Sequence, residues 1–322
     1  MRAVGVTEYG GPDVLELVEL PRPSAGPGQI RIRVHAATVN PGDTLLRIGD
    51  LDEVLRNGPL KPPYVPGMEA AGVVDQVGPG TQTDLRVGDR VMAVLMPIDA
   101  TGGAYAEYLV LEADQAARAP TGTTHAEAAT LPMNGLTARL ALDVLNVAPG
   151  ETVAVTGSAG AVGGYAIQLA KVDGLRVIAD AAASDETLVA TLGADQIVAR
   201  GPDVGQRIRQ WWPDGVAAVV DGSLQGPAVV PAIRDGGQIA AVRGWELHGS
   251  SGLGEDRGIT VRDVFVPEYT HRSDKLDELR VLTEEGRLTL RVARTYPAAE
   301  AAEAHRALEA GGVRGRLVLT FD

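Results

Sequence analysis

The residues with the clearest chemical purpose are glycines. Gly157-Ser158-Ala159-Gly160-Ala161-Val162-Gly163 stand between an apolar run at 153–156 and an amphipathic stretch that continues to Lys171. A glycine turn between strand and helix lets bare main chain approach a pyrophosphate, whose charge is stabilised by helix amides and the helix dipole. The chemistry this spacing serves is dinucleotide binding. Ser158 takes the place of the first glycine of G-x-G-x-x-G, while Gly160 and Gly163 keep the other two. A lone glycine pattern is weak, but here a strand precedes it, a helix follows it and a second strand-like run at 175–179 lies beyond. A nucleophile elbow is excluded, because G-x-S-x-G would need glycine at Thr156.

Other chemistries are removed by composition. The 322 residues include no cysteine, which excludes disulfides, thiolate nucleophiles and every cysteine-containing zinc site. The five histidines, His35, His125, His248, His271 and His305, show no metal-ligand spacing. A formal net charge of −13 repels phosphate backbones, so nucleic acid is not an expected partner. The N-terminal residues lack an apolar targeting core and no apolar run reaches a membrane-spanning length, so no membrane association is expected and cytoplasm is the expected location.

The elements that must position the glycine turn follow from periodicity. Residues 30–118 read as short alternating strands broken by Gly, Pro and Asp. Residues 125–147 turn helical, and strand-like runs then alternate with helical ones at 152–156, 176–179, 196–198, 216–220 and 237–242. That rhythm predicts a doubly wound parallel sheet with its ligand crevice at the carboxyl ends of the strands. The β-branched stretch 258–266 reads as a terminal strand able to pair with a partner chain, and 249–254 as a mobile loop. A helix at 299–310 and a last strand at 316–320 are expected to return to the first domain.

Six motifs together carry a family resemblance. They are Val39-Asn40-Pro41-Gly42-Asp43 with Arg47, the stretch 63–74 that includes Tyr64, Gly67, Met68 and Glu69, and Val87-Gly88-Asp89-Arg90-Val91. Leu131-Pro132-Met133-Asn134-Gly135-Leu136-Thr137-Ala138, the glycine turn, and Leu192-Gly193-Ala194-Asp195 complete the set. In order and spacing the chain resembles the zinc-independent quinone oxidoreductases of the medium-chain dehydrogenase/reductase superfamily, the zeta-crystallin type. The resemblance implies a GroES-like mostly-β catalytic domain at 1–124 and 267–322, a Rossmann dinucleotide-binding domain at 125–266, and an active site in the cleft. Zinc-dependent relatives carry Gly-His-Glu where this chain has Gly67-Met68-Glu69, and a thioether is a poor zinc ligand. No metal is expected.

Without a metal, the simplest reaction is hydride transfer from a reduced nicotinamide to a quinone or an α,β-unsaturated carbonyl. The protein must then hold the acceptor and donate hydrogen bonds to its developing oxyanion. The resemblance places Asn40 at the base of the cleft as such a donor or a nicotinamide contact, and Thr137 on the nicotinamide side. As bare sequence, Asn40 opens a turn and Thr137 is an ordinary helix threonine. Tyr64 either lines the substrate mouth or packs. Asp43 and Arg47 read as a structural ion pair, and the family's tyrosine is replaced by Leu45.

The predicted cofactor contacts are Asn40, Thr137, residues Gly157 to Gly163, Asp180, Ser184, Arg200, Asp221, Val242, Arg243 and Gly244. Asp180 ends the second strand, where a carboxylate accepts from an adenosine ribose and repels a 2′-phosphate. Counting from Gly163, Ala181 instead occupies the register of that carboxylate, and the family's phosphate-binding lysine is replaced near Asp185. Ser184 and Arg200 are the substitutes in reach. Family custom selects NADP(H), and NAD(H) stays open. The expected protein is an NAD(P)H:quinone or enone oxidoreductase, homodimeric through the edge strand near Ile259 to Val266. The alternatives are a trans-acting enoyl reductase for a biosynthetic thioester and a crystallin-like or sensor protein that binds dinucleotide without turnover.

Overall fold

A strand that buries one face shows its period in its side chains, and Gln29–Thr38 does so: Ile30, Ile32 and Val34 are buried while Arg33 is exposed. This strand is the backbone of the first of two units in the computed structural model, which describes residues 1–50, 52, 62–98, 102–242 and 254–321. The first unit comprises Met1–Met133, Pro267–Glu284 and Leu290–Asp322, and the second Asn134–Val266 with Glu285–Thr289. The helix His125–Ala128 packs on strands of the first unit and belongs to it. The expected helix at 125–147 is two helices, His125–Ala128 and Pro132–Leu145, with Pro132 starting the second.

The first unit contains β1 (Arg2–Val6), β2 (Leu15–Glu19), β3 (Gln29–Thr38), β4 (Glu69–Val77), β5 (Arg90–Val94), β6 (Tyr108–Glu112) and β7 (Ala116–Arg118). In the second lie β8 (Thr152–Thr156), β9 (Arg176–Ala181), β10 (Gln196–Ala199), β11 (Val216–Asp221), β12 (Ile233–Val242) and β13 (Thr260–Val264). The chain then returns to the first unit with β14 (Val292–Pro297) and β15 (Arg316–Thr320).

The larger sheet of the first unit runs β14-β15-β3-β4-β5-β7, with β6 also on β3. Because β3 is ten residues long, it pairs along its start with β6 and along its end with β15, where Val318 faces Thr38. The core of this unit gathers Ile30, Ile32, Val34, Val91, Tyr105, Leu109, Leu317 and Leu319.

In the second unit all six strands are parallel, in the order β10-β9-β8-β11-β12-β13. Both faces of such a sheet are covered, which explains why β8 and β11 are buried at every position. Helix Ala161–Val172 connects β8 to β9, and helix Val204–Trp211 connects β10 to β11. Strand order reverses between β8 and β11, so the crevice of a doubly wound sheet opens beyond Thr156 and Asp221. The terminal strand expected at 258–266 is β13, which pairs with β12 at one end of the sheet.

Candidate functional site

The glycine turn lies where the strand order reverses. Gly157 follows β8 with φ +65°, a left-handed conformation that disfavours a side chain, and a Cβ there would stand 3.0 Å from the carbonyl carbon of Gly222 after β11. Gly160 is the N-cap of helix Ala161–Val172 and brings no side chain to it. Gly163 sits one turn in, where a Cβ would come 2.3 Å from the Gly157 carbonyl oxygen and 2.8 Å from the Ser158 Cα. Each glycine is thus required by main chain rather than by a movable side chain. The result is a tight strand-to-helix corner at a helix N-terminus, the kind of junction that suits a pyrophosphate.

The carboxylates near this corner support it. Asp180 on β9 is buried and its Oδ1 accepts the Ser158 N–H at 3.1 Å. Burial raises its pKa, opposed by hydrogen bonds from Ser158 and Gly157 and by the charge of Arg200. Asp221 is buried at the end of β11, accepting from Thr156 Oγ1 at 2.6 Å, Gln225 N at 3.1 Å and Gly226 N at 2.9 Å. It joins the ends of β8 and β11, which line the crevice. The Ser158 hydroxyl donates to the Val155 carbonyl at 2.8 Å, and Ala159 is buried beside it.

The remaining predicted residues of the second unit are more scattered. Ala161 and Val162 form the first turn of the helix. Ser184 and Arg200 are exposed, with the Arg200 N–H on the Ala181 carbonyl at 2.9 Å. Thr137 is buried on helix Pro132–Leu145, and Val242 ends β12 half-buried. Arg243, Gly244 and most of the loop at 249–254 lie outside the described residues.

In the first unit Asn40 ends β3's excursion and caps helix Pro41–Ile48, its N–H donating to Asp43 Oδ2 at 2.8 Å. Its side chain is held in a buried cluster that the sequence did not reveal. Asn40 Oδ1 accepts from Arg316 Nη2 at 2.6 Å, and Asn40 Nδ2 donates to Glu69 Oε1 at 3.2 Å and Thr38 Oγ1 at 3.3 Å. Arg316 Nη2 also meets Glu69 Oε1 at 2.6 Å, Thr38 donates to the same carboxylate, and Met133 N donates to Glu69 Oε2 at 2.7 Å. Arg316 Nε is buried with no hydrogen-bond partner among the described residues. The cluster around Asn40 therefore contains a buried ion pair, Arg316 with Glu69, that nothing in the sequence led us to expect. Arg316 comes from β15, 276 positions away in the chain, and no local sequence signal marks it.

One expectation for this unit changes. Asp43 and Arg47 do not pair: the Asp43 carboxylate takes the amides of Asn40 and Gly67 and the Tyr105 hydroxyl, while Arg47 pairs with Glu309. One helical turn separates the two residues, but the main chain on either side claims the shorter side chain. Burial pushes the Asp43 carboxyl up to about 6, opposed by its amide donors, the Arg316 charge and the Tyr105 hydroxyl. Tyr64 is half-buried and stacks on Tyr9, ring centroids 5.3 Å apart and 9° from parallel. Tyr9 in turn donates to Asp52 at 2.7 Å.

Comparison with known proteins agrees with this architecture. Residues 26–121 match the alcohol dehydrogenase GroES-like domain and residues 192–319 the zinc-binding dehydrogenase family. A mycobacterial protein solved with NADPH is 32% identical, with a TM-score of 0.85 and full coverage of both chains. The chain belongs to the quinone oxidoreductase family of the medium-chain dehydrogenases/reductases. The spinach chloroplastic quinone-oxidoreductase homolog is 37% identical over 205 residues, 62% of this chain and 60% of the relative. A tomato 2-methylene-furan-3-one reductase is 33% identical over 251 residues, 76% of this chain and 62% of the relative. The chain thus spans about 60% of the length of these curated relatives.

The name of the second matched domain implies zinc, and the residues present do not suit it. Met68 stands before Glu69, both Glu69 oxygens are engaged by Thr38, Arg316, Asn40 and Met133, and the sequence has no cysteine. Among the described residues no group of three or more His, Cys, Asp or Glu gathers to hold a metal. A dinucleotide does suit the corner at Gly157 and Gly163, which is closed to a Cβ by main chain. No described helix is long and apolar enough to cross a membrane.

Proposed function

We propose that this protein is an NADPH-dependent, zinc-independent reductase that delivers hydride to a quinone or an α,β-unsaturated carbonyl. The observation that carries the reading is the glycine corner at the strand-order reversal, where Gly157 and Gly163 tolerate no side chain. The spinach quinone-oxidoreductase homolog and the tomato 2-methylene-furan-3-one reductase support both acceptor classes, and the mycobacterial complex supports NADPH.

When bound, the nicotinamide supplies the hydride. The glycine corner and the first turn, Ala161 and Val162, hold the pyrophosphate; Ser184 and Arg200 hold the adenosine phosphate, with Asp221, Val242, Arg243 and Gly244 lining the rest. Asp180, whose Oδ1 accepts the Ser158 N–H, supports the turn. Thr137 and Asn40 orient the nicotinamide and the acceptor, and Tyr64 borders the acceptor. Arg316, paired with Glu69, holds the Asn40 side-chain carbonyl and so fixes which way the Asn40 amide points. Water supplies the proton that completes the enol or quinol. The protein works in the cytoplasm on small molecules, as a homodimer joined along β13.

The deciding experiment is an acceptor panel with NADPH and NADH in parallel, covering 1,4-quinones, small enones, enoyl thioesters and a primary alcohol in reverse. Rapid NADPH oxidation with quinones or enones is expected. Thioester as the sole acceptor would move the protein to enoyl reduction. Cofactor-induced thermal stabilisation with no turnover of any acceptor would make it a dinucleotide-binding protein instead.

A further inference from the structure

A buried line of polar contacts in the first unit ends on the residues that hold Asn40. At its outer end Arg47 Nη2 donates to Glu309 Oε1 at 2.5 Å, and Glu309 is partly exposed. Arg47 Nη1 lies 3.1 Å from His305 Nδ1. A guanidinium only donates, so Nδ1 must accept and the ring proton sits on Nε2. Nε2 lies 3.3 Å from the Tyr105 hydroxyl and donates to it. That leaves the phenolic hydrogen for Asp43 Oδ2, 3.2 Å away. Each group's donor direction is thereby set by its outer neighbour, from Arg47 through His305 and Tyr105 to Asp43.

The inner end is a clamp on main chain. Asp43 Oδ1 accepts the Gly67 N–H and Oδ2 the Asn40 N–H, both at 2.8 Å. These amides belong to the two segments whose side chains, Asn40 and Glu69, meet at 3.2 Å. Asp43, Tyr105 and His305 are all 0% exposed. A merely space-filling interior would use apolar groups there, since burying a hydroxyl and an imidazole costs free energy unless both are bonded.

We propose that Tyr105 and His305 are positioning residues: through Asp43 they fix the relative placement of the Asn40 turn and the Gly67 to Glu69 segment, and so the acceptor side of the site. This rests on the reductase reading above. The charged groups facing the line are Arg316 from β15, Glu69 from β4, Arg47 from helix Pro41–Ile48 and Glu309 from helix Ala301–Glu309. Burial and the neighbouring Asp43 carry the Tyr105 hydroxyl well above its ordinary range, so it stays a donor. Burial, aided by the Arg47 charge, holds His305 down at about 3, so it stays the neutral tautomer the geometry needs.

Tyr105→Phe keeps the ring and removes the hydrogen that reaches Asp43. The acid limb of kcat should move up by about one pH unit, so that kcat falls about tenfold at about pH 5 but only about twofold at about pH 7, with both KM values within about twofold. Nuclear magnetic resonance gives a readout that needs no turnover: the Asn40 and Gly67 amide protons should titrate together with Asp43, and their midpoint should rise with the acid limb in the variant. Coincident amide titrations in parent and variant would overturn the proposal, as would an unmoved acid limb in an active variant that has merely lost stability. If the parent reduces no acceptor at all, the reductase reading fails, and the amide titration alone decides whether the line acts on Asn40 and Gly67.

Discussion

Replacing Asp43 by Asn should make the fold more acid-sensitive than the parent, because Asp43 and His305 titrate in opposite senses within one chain of contacts. His305 is held down at about 3 from an ordinary 6.5. Its stabilising contribution is complete above its unfolded pKa and is lost as pH falls toward the folded one. Between pH 7 and pH 5 that loss is about 2 kcal/mol, from about 1.5 units at about 1.36 kcal/mol each. Asp43 is raised from 3.8 to about 6, so its contribution is complete below 3.8 and lost as pH rises through 6. Over the same interval acidification therefore returns about 1.4 kcal/mol through Asp43, which nearly offsets the histidine.

Removing the carboxylate leaves the histidine unopposed. His125, lowered to about 4 by burial, His35 and Arg90, is half-buried and pushes in the same direction as His305 in parent and variant alike, so it cancels in the comparison. Urea unfolding followed by circular dichroism from pH 7 to pH 5 should show the Asp43→Asn variant losing about 1.4 kcal/mol more than the parent. The two stability curves running parallel across that interval would refute the reasoning, whatever the size of the constant offset between them.

Gly163→Ala places a Cβ 2.3 Å from a main-chain oxygen; it should cost about 1–3 kcal/mol of stability and weaken dinucleotide binding at least about tenfold, and unchanged affinity by titration calorimetry would move the phosphate site elsewhere. Asp180→Asn keeps an acceptor for Ser158 while removing the charge, so the NADPH-to-NADH preference in kcat/KM should rise roughly three- to tenfold; an unchanged ratio would confine Asp180 to supporting the turn. Prolonged EDTA treatment should leave the rate unaltered, and inhibition that only zinc reverses would defeat the metal-free reading.

Local chemistry was legible where neighbours in sequence are neighbours in space. The glycine turn, the alternation of β8 to β12 with helices, the closing strand Arg316–Thr320 and the terminal position of β13 all follow from periods of two and 3.6 or from main-chain geometry within a few residues. The same reasoning misjudged Asp43 and Arg47. Spacing brings them within one helical turn, yet spacing cannot count the competing donors that Gly67, Tyr105 and Glu309 bring from other segments.

By itself the sequence determined a dinucleotide corner, because Gly157 and Gly163 answer to main chain a few residues away, and it excluded thiolate chemistry outright because no cysteine is present. Only the tertiary structure decided what surrounds Asn40. Arg316, Glu69 and Thr38 meet there because β15 returns antiparallel to β3, and a charge at the first residue of an apolar strand looks the same in sequence whether it faces water or a buried carboxylate. Long-range register, not residue type, converts those side chains into a site.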